Sequence, residues 1–136
     1  AWTTFTPSWL NFTLGNGTNG YFKYRYIGGN MQISGQLTYG STSNLYGNLA
    51  MTLPDSFSTN PETYQARSTN TTIYDQSGSD YYFAWAWPNT TTVTFYQVTS
   101  FAQSPFATAI DDRNPMTWAA GDTLQVAALI NGPDAT

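Results

Sequence analysis

Met31–Tyr39 has the sequence MQISGQLTY and is the clearest strand signal in this chain. Apolar residues recur at every second position, so one face is apolar and the other carries glutamine, serine and threonine. The preceding stretch, Tyr21–Ile27, alternates aromatic with basic residues in the same way. The glycines Gly28 and Gly29 between the two stretches are typical of a tight hairpin turn. The two stretches therefore predict an antiparallel hairpin.

Short strands separated by turns continue to the C-terminal end of the chain. Helix formers are scarce, so no helix longer than a single turn is expected. Regularly spaced short strands are typical of a β-sandwich or jelly roll, and 136 residues fit one domain, residues 1–136. We therefore predict an all-β fold, an antiparallel β-sandwich of the jelly-roll type. Further strands are predicted at Leu49–Leu53, Tyr64–Arg67, Thr72–Asp75, Tyr81–Trp87, Thr92–Val98 and Thr123–Ile130.

Three of the predicted strands are apolar on both faces. Tyr81–Trp87 is the clearest, because aromatic residues occupy one face while one tyrosine and two alanines occupy the other. Val93–Val98 and Leu124–Ile130 are similar. A two-layer sandwich buries only one face of each sheet. The second apolar face therefore predicts a subunit interface, and a long loop covering the strand is the alternative.

Most of the usual catalytic groups are missing from the chain. It contains no histidine and no cysteine, and only 9% of its residues are charged. Without histidine a Ser-His-Asp triad is impossible. A glycosidase needs two carboxylates, and Glu62, the only glutamate, could have any aspartate as its partner. A non-enzymatic protein without a cofactor is the interpretation that this composition favours.

The composition also bears on the partners. Aromatic residues make up 17% of the chain and lie among threonine, serine, asparagine and glutamine, a mixture that suits stacking on sugars and hydrogen bonding to their hydroxyls. The four cations are scattered in a chain of net charge -4, which argues against nucleic acid as a partner. No apolar run is long enough to span a bilayer, so membrane insertion is not expected.

Several short motifs follow one another along nearly the whole chain. Residues 1–7 read AWTTFTP and are followed by Trp9, and 15–18 read GNGT. The aromatic and basic strand then runs up to Ile27 and Gly28, 37–43 read LTYGSTS, 53–54 read LP and 115–122 read PMTWAAGD. In this order they resemble the C-terminal head domains of bacteriophage minor tail and receptor-binding proteins, especially those of phages that infect actinobacteria. Residues 55–112 match none of the motifs, so the resemblance assigns no binding residues.

The resemblance implies a β-sandwich head that works as a homotrimer on the virion tail, outside the cell, and binds a saccharide of the host cell surface. It also implies that the chain is the C-terminal piece of a longer protein. In this interpretation Trp2, Trp9 and Trp118, which belong to the motif regions, are structural.

Asp111, Asp112 and Arg113 form the densest polar cluster and are the first candidates for saccharide binding. Carboxylates accept hydrogen bonds from sugar hydroxyls, and a guanidinium donates through a planar fork. The alternative is a solvated turn in which aspartate side chains cap backbone amides.

Trp87 and Asn89 are further candidates, because they place a ring beside an amide at the end of a strand.

Packing in the core or between subunits is the alternative for the tryptophans of this strand. A core position is favoured for Trp85, and neither interpretation is favoured for Trp87. Tyr46 and Tyr82 complete the candidate site as expected exposed rings. Tyr82 shares its strand face only with alanines, so that face could be a pocket floor or a close-packed interface.

Asp75–Asp80 loosely resembles a calcium loop but lacks the final glutamate, so a turn capped by aspartate is favoured.

Two other functional classes stay open besides host recognition. The doubly apolar strands are equally typical of a structural trimerisation domain of the tail tip without a ligand. Four Asn-x-Thr triplets are possible glycosylation sites and support a secreted lectin-like glycoprotein. They begin at Asn11, Asn16, Asn70 and Asn89.

Overall fold

A computed structural model describes residues 1–59, 68–98 and 107–132. These residues form ten strands that belong to one continuous antiparallel sheet. Pro54–Ser56 forms a single 3-10 turn, and no longer helix occurs in the described ranges. The strands are β1 (Thr3–Thr4), β2 (Ser8–Thr13), β3 (Thr18–Ile27), β4 (Asn30–Thr38), β5 (Asn44–Thr52), β6 (Ser68–Asp75), β7 (Asp80–Asn89), β8 (Thr92–Val98), β9 (Ala107–Ala109) and β10 (Thr123–Ile130).

The prediction of an all-β, antiparallel fold is confirmed. The two strands with the cleanest patterns at the C-terminal side, Thr92–Val98 and Thr123–Ile130, match β8 and β10 to the residue. The predicted strand Tyr64–Arg67 lies outside the described residues. The sequence patterns missed β1, β2 and β9. In β2 a register shift between Leu10 and Phe12 breaks the alternation on which the pattern depends.

The sheet curls so that side chains of strands near its two ends come into contact. Its strand order is β1-β3-β4-β10-β6-β7-β8-β5-β2, with β9 also paired to β8. Trp9 of β2 packs against Phe22 of β3, with 5.7 Å between ring centroids, and the Trp9 indole N–H donates to Asn19 Oδ1 at 2.9 Å. Side chains of β2 and β3, which lie near opposite ends of the strand order, therefore pack together on the concave side of the sheet. The described strands form a single sheet, and the two-layer jelly-roll arrangement stays a prediction.

The concave face of the sheet holds the core. In β4, Met31, Ile33 and Leu37 are buried, whereas the intervening polar residues point outwards, as the alternation predicts. Strands β7, β8 and β10 show the same alternation. The largest fully buried side chains are Phe95, Met31, Ile33, Leu37, Leu49, Met51, Ile73, Ile110, Leu124, Ile130, Val93 and Val126.

Strand β7 turns its small residues inwards and its rings outwards. Ala84 and Ala86 are fully buried, and Ala86 lies opposite the buried Phe95 of β8. Because Phe95 fills the interior at this point, the facing strand has room only for small side chains. Trp85 alternates with the two alanines and is only partly buried on the outer face. The prediction that Trp85 is a core residue is therefore wrong.

Tyr26 near the end of β3 is held by a carboxylate from the 3-10 turn. Its hydroxyl donates to Asp55 Oδ2 at 2.5 Å. This hydrogen bond, together with partial burial and the negative charge of Asp55, raises the pKa of Tyr26 from 10.0 to about 12. The bond ties the β3–β4 hairpin to the segment that follows β5.

The raised pKa of Tyr26 gives a pH dependence with a defined sign. Folding holds the tyrosine proton more tightly, so this stabilisation is complete below pH 10.0 and is lost as the pH rises through about 12. In an absorbance titration, subtracting the Tyr26→Phe curve from the parent curve should leave one ionisation near pH 12. Asp55→Asn, which keeps a side chain that tolerates the positive φ of 59° there, should move it back towards 10.0. A difference curve centred near 10.0 in the parent would show that the bond does not form in solution.

Candidate functional site

The outer surface of β6, β7 and β8 carries a group of rings that we call the aromatic face. Antiparallel pairing places Tyr74 opposite Tyr81, with 4.6 Å between ring centroids, and Trp85 opposite Tyr96. Tyr81 is 74% exposed and Phe83 is 61% exposed. Ala84 and Ala86 occupy inner positions of β7, so the rings that alternate with them lie on the outer face. Its members are Tyr74, Tyr81, Phe83, Trp85, Trp87 and Tyr96.

A cleft opens at the end of β7, where Thr90 and Thr91 form the turn into β8. Thr90 has a φ of 49°, and the Thr92 hydroxyl donates to the Asn89 carbonyl at 3.2 Å. This short turn sets the register in which Trp87 lies opposite Thr94. The cleft has a volume of about 250 Å³, and we call it the Trp87 cleft. It is lined by Trp87, Pro88, Asn89, Thr94 and Tyr96.

The chemistry of the Trp87 cleft suits a small, neutral, polar ligand. The rings of Trp87 and Tyr96 lie 5.2 Å apart at an interplanar angle of 54°, so they offer two differently inclined surfaces for packing. The Asn89 amide can both donate and accept, and Thr94 adds a hydroxyl. The lining residues carry no charge. The cleft is slightly smaller than most ligand pockets, a size that fits one sugar ring rather than a large ligand.

The turn at residues 111–114 closes on itself. The Arg113 backbone N–H donates to Asp111 Oδ1 at 3.0 Å, and Asp111 and Asn114 exchange backbone hydrogen bonds. The interpretation of Asp111 as a capping residue is confirmed by this contact. Asp112 and Arg113 are exposed, with 4.0 Å between Asp112 Oδ2 and Arg113 Nε. These two side chains are the groups that the turn presents to solvent.

The remaining predicted site residues lie apart from the cleft. Tyr46 is exposed on the outer face of β5, as expected. Tyr82 is half-buried and packs against the core opposite Ile73, because it alternates with the outward-facing Phe83. The expectation that Tyr82 is an exposed ring is therefore wrong. Of the seven predicted site residues, the structure brings Trp87 and Asn89 together in one cleft.

The loop between β6 and β7 is a capped turn. Asp75 Oδ1 accepts from the Ser77 hydroxyl at 2.9 Å and from the Gly78 N–H at 3.2 Å, so the interpretation favoured for this aspartate is confirmed. Within the described ranges, no three His, Cys, Asp or Glu side chains are grouped so that they could hold a metal ion. No helix in this part of the chain is long and apolar enough to cross a membrane.

The sequence patterns missed two outward-facing cleft residues, Thr94 and Tyr96. A signal for them was present: a two-residue turn at Thr90 and Thr91 pairs Trp87 with Thr94 and Trp85 with Tyr96. The pairing depends on the turn length, which single-strand periodicity does not use.

No family model, no curated protein and no solved structure matches this chain.

Proposed function

We propose that this chain is a non-enzymatic recognition module that binds a saccharide on a cell surface. The observation that carries the proposal is the Trp87 cleft, where two inclined rings and an amide surround a space of about 250 Å³. A sugar ring packs its C–H groups on aromatic rings, and its hydroxyls exchange hydrogen bonds with amides and hydroxyls. The exposed rings of Tyr81 and Phe83 extend this surface along β7.

The biological setting that we propose is the host-recognition head of a bacteriophage tail protein. The order of the sequence motifs supports it, and the resemblance implies a jelly-roll-like arrangement and a homotrimer. Single shallow sites of this kind bind weakly, but several copies held on one tail bind a polymeric surface firmly. In this setting the module acts on the virion tail, outside the host cell.

A second candidate function is favoured by the exposure of the aromatic face. Large contiguous apolar surfaces on soluble proteins mark interaction sites, and β7 exposes most of Tyr81 and Phe83. In a structural trimerisation domain these rings pack against a neighbouring subunit, and the domain has no ligand of its own. If this second candidate is correct, the protein forms a stable trimer that does not bind saccharide.

Trp87→Ala is expected to weaken binding to the host saccharide at least about tenfold, because stacking on one ring is lost. The measurement is binding of the labelled protein to actinobacterial cells before and after their surface polysaccharide is stripped. Leu129→Ala is the matched control, since it removes an exposed apolar side chain of β10 outside the cleft.

Binding that disappears on stripping and is weakened by Trp87→Ala but not by Leu129→Ala supports the proposal. If both variants bind equally well, the saccharide site lies outside the Trp87 cleft. A folded protein that sediments as a trimer and labels none of the strains would favour the structural candidate.

A further inference from the structure

Tyr21 on β3 combines an unusual backbone conformation with an almost fully exposed ring. Its φ is 57°, in the region that favours glycine, and 91% of the residue is exposed. The cause is a bulge: Gly20 pairs with Gln36 and Lys23 pairs with Ser34, so Tyr21 and Phe22 together oppose one residue of β4. Phe22 points into the core, and the bulge leaves Tyr21 projecting into solvent.

The conformation of Tyr21 has a cost that burial of its own side chain does not offset. A left-handed conformation strains any residue with a side chain, and a ring that is 91% exposed gains almost no burial in return. Asparagine or glycine would adopt the same backbone with less strain. Strained and exposed aromatic residues are a feature of binding sites, where the side chain is kept for its contact with a ligand.

Tyr21 stands on the rim of a second cleft, which we call the Tyr21 cleft. It has a volume of about 180 Å³ and lies on the outer faces of β3, β4 and β10. Polar side chains from three strands converge there, and Gly20 leaves the backbone open to close approach. The lining residues are Gly20, Tyr21, Lys23, Ser34, Gly35, Gln36 and Gln125.

The Tyr21 cleft differs from the Trp87 cleft in charge. The Lys23 ammonium lies 4.9 Å from the ring centroid of Trp2, and the Arg25 guanidinium lies 4.4 Å from the same ring. Among the residues that the structure describes, the only ion pair within 4.0 Å joins Arg113 and Asp112, so no carboxylate of the described ranges pairs with Lys23 or Arg25. Two of the four cations in a chain of net charge -4 are thus gathered on one strand face.

We propose that the Tyr21 cleft binds an anionic saccharide. The Tyr21 ring packs on the sugar, Lys23 pairs with its carboxylate or phosphate, and Gln36 and Gln125 bind its hydroxyls. The inference deepens the proposed function by adding a second binding site with its own ligand charge, and it rests on residues that the Trp87 cleft does not use.

The two clefts lie on the same outer surface. Antiparallel pairing continues the row from Gln36 through Gln125 and Thr72 to Phe83 of the aromatic face. Three strand spacings separate Gln36 from Phe83, roughly 14 Å across the sheet. A polymeric saccharide crossing the strands can therefore contact both regions, and its affinity then exceeds that of either cleft alone.

The test compares oligogalacturonate with an uncharged galactose oligomer of the same length, by calorimetric titration at low salt. An oligomer of glycerol phosphate provides a phosphate in place of the carboxylate. The parent should bind at least one of the two charged oligomers about fivefold more tightly than the neutral one, and added salt should remove the difference. Whichever charged oligomer binds more tightly shows whether the cleft prefers a carboxylate or a phosphate. Equal binding of all three oligomers would overturn the proposal.

Three variants separate the Tyr21 cleft from its surroundings. Tyr21→Asn should weaken binding of the charged oligomer at least about tenfold, while its Tm rises by about 3 °C because the strain is relieved. Lys23→Gln should abolish the preference for the charged oligomer but keep binding of the neutral one. Trp87→Ala should weaken the charged and the neutral oligomer by the same factor and keep the preference for the charged one, which depends on Lys23. Failure of the Trp87 cleft and failure of the Tyr21 cleft are therefore distinguishable. A Tyr21→Asn variant with parental affinity, or with a lowered Tm, would contradict the role given to Tyr21.

Discussion

Replacing Asp122 with alanine is expected to lower the free energy of unfolding by about 3 kcal/mol or more. The carboxylate is buried at the start of β10. It accepts the Ala119 N–H at 2.7 Å and the Gln76 N–H at 3.0 Å, and the backbone carbonyl of the same residue accepts the Tyr39 N–H at 2.8 Å. The side chain therefore joins the loop before β10 to the β6–β7 turn. Alanine removes both acceptors and leaves two backbone donors without their charged partner.

Urea denaturation of a matched series measures this effect. Asp122→Asn keeps the shape and one acceptor oxygen, but its amide group then faces a backbone donor, so an intermediate loss is expected. Asp112→Ala, at an exposed position, should change the free energy of unfolding by no more than about 0.5 kcal/mol. If Asp122→Ala and Asp112→Ala were equally stable, water would be satisfying the donors and Asp122 would not join the loops.

Replacing Phe95 with alanine is expected to lower the free energy of unfolding by about 3–5 kcal/mol. Phe95 is fully buried on the inner face of β8, opposite Ala86 and beside Trp9, with 6.4 Å between ring centroids. Neither neighbour can fill the space, because the alanine is too short and the Trp9 indole is held by Asn19. The cavity that remains adds to the loss of apolar burial.

Phe83→Ala is the matched control, since it makes the same substitution on the outer face of the neighbouring strand. Phe83 is 61% exposed, so the expected loss is about 1 kcal/mol or less. If Phe83→Ala lowered the free energy of unfolding strongly and Phe95→Ala only slightly, the inner and outer faces of β7 and β8 would be the reverse of those described. Large losses at both positions would indicate that a second subunit covers the aromatic face, as the structural candidate expects.

The strands with one polar face were predictable from the sequence. In β4 and β10, burial requires every second side chain to be apolar, and this requirement is visible in any short window of the chain. The patterns failed where the strand register shifts. Asn11 in β2 and Tyr21 in β3 lie at such shifts and have positive φ angles, so neither β2 nor the N-terminal part of β3 followed from alternation.

The candidate site was only partly predictable. Trp87 and Asn89 were found because a ring beside an amide at a strand end is a local feature. The outward direction of Trp85 and the inward direction of Tyr82 were not found, because β7 is apolar on both faces and its own sequence does not distinguish them. Phe95, on the next strand, occupies the interior and leaves room there for Ala84 and Ala86.

The sequence by itself determines that this protein is all-β and where most of its strands lie, because the alternation of apolar and polar residues is a local property. Composition alone shows that histidine and cysteine chemistry is absent from the chain. The curl of the sheet, the inner face of β7 and the grouping of polar residues in the Tyr21 cleft have a different origin. They depend on which strands become neighbours, and β4 meets β10 across more than eighty residues of chain. Packing volume and strand register act between such distant segments, so the clefts that we propose for saccharide binding exist only once the sheet has formed.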